Sequence, residues 1–107
     1  MIVRFSPKFA RWYVDYTRHH ETFQPIAYKN LEKLLHREIE DPLERATILH
    51  VLKQRSPNDS YYRGWIRIGD IDLLMRLREW RSQGEVIAPL AVRQQLKEEA
   101  LQDLSNY

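Results

Sequence analysis

Proline constrains this chain more than any other residue type. It stands at positions 7, 25, 42, 57 and 89 of 107. It has no backbone N–H and a fixed φ, so each copy starts an element, breaks one or bends a loop. Ser6-Pro7 and Asp41-Pro42 read as a helix N-cap followed by proline at the first helical position. Thr22–Pro25 reads as a break, because the residue before a proline is driven out of helical geometry. Pro57 falls in the turn-forming run Ser56–Ser60, and Pro89 opens a last helix.

Apolar spacing fills these intervals with helices. The first runs from Pro7 to about His20, with Phe9, Trp12, Tyr13 and Tyr16 inward. The second covers roughly Ala27 to Glu40, with Leu31, Leu34, Leu35 and Ile39 on one face and Lys29, Lys33 and Arg37 on the other. The third runs from Asp41-Pro42 to about Arg55, with Leu43, Ala46, Leu49 and Leu52 inward and Ile48 and Val51 widening the stripe. Gly69-Asp70 caps a fourth that ends near Gln83, where Gly84 fits a left-handed stop. In the fifth, Val92, Leu96, Ala100 and Leu104 recur four apart. Ile2–Phe5, Trp65–Ile68 and Val86–Ala88 read as short extended pieces. The expected fold is mainly α: a compact bundle of about five helices in one domain, 1–107, with at most a minimal two- or three-strand β element.

Several chemistries find no support in this sequence. It has no cysteine, which removes disulfides, thiolate metal sites and thiol nucleophiles. Three glycines form no phosphate-cradling loop, and no serine lies in a nucleophile elbow. His36 and Glu40 are one turn apart without further ligands at metal-binding spacing, and His19-His20 ends a helix. Asp70 and Asp72 point apart on a helix start, so no acid–base dyad forms there. The expectation is a non-enzyme with no cofactor and no metal. No apolar run reaches the length of a leader or membrane span, so a cytoplasmic location without membrane contact is expected.

The cations are more informative. Twelve are Arg and five Lys. Arginine's planar fork suits phosphate, carboxylate and aromatic partners, although a GC-rich coding sequence gives the same bias. Arg63 and Arg67 sit among Tyr61, Tyr62 and Trp65, in a stretch where partial exposure is expected. Arg78 and Arg81 have no acid four residues away on the fourth helix. Arg63, Arg67, Arg78 and Arg81 are therefore candidate phosphate contacts, with Tyr62 and Trp65 as stacking surfaces. A base-reading helix-turn-helix is poorly matched: the third helix starts on acid, and only Arg93, Gln94 and Gln95 offer base-reading groups at the start of the fifth. The first 81 residues hold 15 basic and 11 acidic side chains, whereas the rest hold 2 and 4. That asymmetry suggests head-to-tail self-association.

In size, helicity and arginine content, the chain resembles the small helical subunits of CRISPR surveillance complexes. The resemblance rests on no motif and transfers no residue. It implies an accessory subunit that binds nucleic-acid backbone, DNA or RNA, through arginines within a larger complex. The competing expectation is a protein–protein adaptor or regulator. There the Arg, Tyr and Trp side chains are interface anchors without nucleic-acid contact.

Overall fold

A computed structural model describes residues 1–11, 24–64, 78 and 83–107. In chain order these form β1 (Ile2–Phe5), α1 (Pro7–Phe9), β2 (Gln24–Ile26), α2 (Tyr28–Glu38), α3 (Pro42–Lys53), β3 (Ser60–Arg63), β4 (Gly84–Ala88) and α4 (Leu90–Ser105). The four strands make one antiparallel sheet in the order β2-β3-β1-β4. This corrects the expected five-helix bundle: the architecture is α/β, and the sheet is its centre. The bundle architecture implied by the likeness to CRISPR small subunits is corrected with it.

The sheet carries a separate apolar cluster on each face, as the period-two alternation of strands requires. Ile2, Tyr61 and Ile87 pack with Leu31, Leu34 and Leu35 of α2 and Ile48 and Leu52 of α3. Val3, Phe5, Tyr62 and Val86 pack on the other side with Ala10, Phe9 and, from α4, Val92 and Leu96. The Phe5 ring lies 5.4 Å from Phe9 and 5.9 Å from Tyr62, the latter edge-on. Helices thus cover both sides, and side chains from the two inner strands are buried in either direction.

Two of the short extended segments, Ile2–Phe5 and Val86–Ala88, lie in strands. The third, Trp65–Ile68, lies outside the described residues, as does the fourth helix apart from Arg78 and its expected end at Gln83. β3 instead begins in the stretch read as loop. β2 occupies the proline break, and its place in the sheet explains why: proline gives no ladder hydrogen bond, so it is confined to edge strands such as this one. Partial exposure of Tyr61 and Tyr62 is corrected too. Both are buried, at 3% and 4% exposure, because β3 is internal.

The helix starts differ in quality. Asp41 caps α3, its carboxylate accepting from the Leu43 N–H at 3.0 Å, with Pro42 in the first turn. Ser6 makes no such side-chain cap. α4 begins without a cap from Pro89, and the Glu44 carboxylate of α3 accepts from the Leu90 N–H at 3.1 Å instead. The Tyr28 hydroxyl donates to the Leu52 carbonyl at 2.7 Å and ties α2 to α3.

α3 turns only part of the expected stripe inward: Ile48, Leu49, Val51 and Leu52 pack on the core, whereas Leu43 and Ala46 do not. Ile48 and Leu52 are buried, while Leu43 is 80% exposed and Ala46 is exposed. Leu104 of α4 is likewise outside, at 68%. Gly84 is needed for space rather than for a left-handed turn. It opens β4 opposite Phe5, and a Cβ there would lie 2.4 Å from the Phe5 ring and 2.7 Å from the Arg4 carbonyl oxygen. We expect Gly84→Ala to cost about 1–3 kcal/mol by overpacking. Leu52→Ala should cost about 2–5 kcal/mol and Leu43→Ala less than about 0.5 kcal/mol. Denaturant midpoints measure all three, and equal losses at Leu52 and Leu43 would contradict this orientation of α3.

Candidate functional site

β1 holds one charged residue, Arg4, and β4 holds one, Glu85. Antiparallel pairing sets them side by side, with Tyr61 of β3 across from Arg4. Arg4 Nε donates to Glu85 Oε1 at 2.7 Å, and Arg4 Nη1 donates to Asp59 Oδ2 at 2.7 Å. The end of α3 brings Arg55, which grips both oxygens of the same carboxylate. The first turn of α4 brings Arg93, whose Nη1 donates to Glu85 Oε2 at 2.7 Å and to the Val86 carbonyl at 3.1 Å. Three arginines and two acids thus close a network across β1, β4, the α3–β3 loop and α4.

The electrostatics follow. Partial burial opposes ionisation of Glu85, but the guanidinium groups of Arg55, Arg93 and Arg4 outweigh it and hold the carboxyl down at about 2. Arg4 is raised despite its own burial by Glu85 and Asp59, and Arg55 is raised chiefly by its bond to Glu85. Nearby, burial and the charge of Asp59 push the Tyr61 phenol up to about 12. Its hydroxyl donates to the Ser56 carbonyl at 2.8 Å.

Beside this network, a cavity of about 430 Å³ opens between β4 and α4. Its apolar wall is Val3, Phe5, Val86, Leu96 and Ala100. Among the described residues, Arg55, Glu85, Arg93 and Lys97 supply its charged groups. Among the described residues, no three His, Asp or Glu side chains gather as metal ligands.

The residues expected from the sequence lie elsewhere. Arg63 is ion-paired with Glu38 of α2. Arg78 forms a two-pronged pair with Glu99 of α4, at 2.8 and 2.9 Å. Tyr62 is buried under the second apolar cluster. Arg67, Arg81 and Trp65 lie outside the described residues. Arg63 and Arg78 each engage a carboxylate and Tyr62 is buried, and nothing in the described residues supports the expected nucleic-acid contact. Sequence reasoning passed over Arg4, Arg55, Asp59, Glu85 and Lys97, and weighed Arg93 only as a base reader. One signal was there to find: a single cation in IVRF and a single anion in GEVIA mark a cross-strand pair if those segments are neighbours.

No family model, curated protein or solved structure matches the chain.

Protonation links the network to stability. Glu85 ionises near pH 2 when folded and near 4.5 when unperturbed. The unfolded chain therefore takes up the proton first as pH falls. The contribution of Glu85 is complete above about pH 4.5 and disappears as the pH drops through about 2. Glu85→Gln should lose about 2–4 kcal/mol at neutral pH, because three cations are left facing one another. Its unfolding free energy should also fall less steeply between those pH values than the wild type's. Parallel acid limbs for the two proteins would contradict the network.

Proposed function

We propose that the protein is a non-enzymatic module that works by binding protein chains within an assembly, and that a second copy of the chain is one such partner. The observation that supports this reading is the distal part of α4. Every residue from Leu101 onward is exposed, including Leu101 at 56%, Leu104 at 68% and Tyr107 at 105%. Leu101 and Leu104 are three apart and share a side of the helix. Apolar side chains left outside on a helix face are suited to burial against another surface.

Charge argues for a second copy. The exposed Glu98 accompanies these leucines at the negative end of the helix dipole, beside Glu99, which is engaged by Arg78. On α2, the exposed Lys29, Lys33 and Arg37 are four apart and form no ion pair among the described residues. The acidic, apolar end of one copy and the basic stripe of the next are complementary, and a contact of that kind is head-to-tail. The nucleic-acid reading has less to rest on, because Arg63 and Arg78 are already engaged by carboxylates.

Sedimentation velocity across protein concentration tests the proposal. Reversible association is expected at low salt and should weaken as salt shortens the range of the charges. Leu101→Ser/Leu104→Ser and Lys33→Glu should each shift the distribution to monomer. Unfolding midpoints should stay within about 0.5 kcal/mol of wild type, because these side chains are exposed. A wild type that is monomeric at every concentration and salt, or association unmoved by both variants, would overturn it.

A further inference from the structure

The cavity between β4 and α4 joins an apolar wall to an excess of hydrogen-bond donors. We propose that it binds a small organic anion: a carboxylate carried on an apolar body, such as a medium-chain or aryl acid. This rests on residues other than those of the proposed self-contact.

Size is the first argument. A volume of about 430 Å³ lies within the range of sites that take small molecules. Such sites combine mostly apolar walls with a few convergent polar groups. Here Val3 and Phe5 of β1, Val86 of β4 and Leu96 of α4 form the wall.

The second argument concerns unused donors. A carboxylate offers about four acceptor positions. Glu85 receives four N–H bonds: one from Arg4, two from Arg55 and one from Arg93. Its capacity is full. Arg55 still has Nη1, Arg93 still has Nε and Nη2, and Lys97 pairs with no carboxylate among the described residues. Among the described residues, three cations line the cavity against that single acid. A neutral guest leaves those donors dependent on water, and a cationic guest is repelled. A carboxylate fits because guanidinium groups bind it through charge-assisted bonds. A bare inorganic anion leaves the apolar wall unfilled.

Isothermal titration calorimetry with octanoate, octan-1-ol and inorganic phosphate tests the site. Octanoate should bind at one site, about tenfold or more tighter than octan-1-ol, as one charge-assisted hydrogen bond implies. Inorganic phosphate should not saturate the protein. Lys97→Glu, at an exposed position, should weaken octanoate about tenfold and leave octan-1-ol unchanged. Ala100→Trp should fill the cavity and remove binding of both; if it does not fold, the Lys97→Glu comparison decides alone. Absence of saturable octanoate binding, equal affinity for octanoate and octan-1-ol, phosphate binding as tight as octanoate, an unaffected Lys97→Glu variant, or full binding by folded Ala100→Trp would each overturn the proposal.

Discussion

Four N–H groups from three arginines converge on the Glu85 carboxylate, at the edge strand of the sheet. That convergence joins parts of the chain that are distant in sequence. Residues 4, 55, 59, 85 and 93 meet there, although β1 and β4 are separated by most of the chain. Apolar burial drives collapse without fixing direction. The charge network adds direction, because guanidinium forks and carboxylates accept only certain angles. A one-residue slip of β4 against β1 would turn Glu85 to the opposite face and break it. We regard the network as what selects this register over its neighbours.

The same arrangement shapes the functional reading. The described arginines are largely engaged within the molecule, with Arg63 on Glu38, Arg78 on Glu99, and Arg4, Arg55 and Arg93 on Glu85. Among the described residues, these five arginines brace the fold from within. The groups left over are distributed unevenly. Lysines and Arg37 lie outside on α2, unused donors edge the cavity, and leucines stand out at the far end of α4. The proposed contact with other protein chains and the proposed capture of an amphipathic anion both rest on those remainders.

Local signals in the sequence were legible where one rule acted alone. Asp41-Pro42 marks the start of α3 because cap and proline agree, and the inner face of α2 follows from Leu31, Leu34 and Leu35. The sheet was harder to see. β2 contains a proline tolerated only because the strand is at an edge, and β3 follows a loop without a pattern of its own. α3 is apolar on several sides, from Leu43 to Leu52, so the spacing did not choose between its faces; the sheet did. Gly84 resembles a helix stop in sequence, whereas its role depends on a ring 79 positions earlier, Phe5. The candidate site was hidden for a related reason. Ion pairs spanning 30 to 81 residues leave no local periodicity, and an arginine tied inside the fold reads the same as one awaiting a phosphate.

The most direct measurement of the central interaction is the titration of the Glu85 side-chain carboxyl, followed by its carbon-13 chemical shift in the folded protein. The account predicts a midpoint near 2, with the arginine side-chain N–H signals of Arg55 and Arg93 shifting over the same range. A midpoint near 4.5, the value of an isolated carboxyl, would show that the three guanidinium groups do not hold it and would contradict the account.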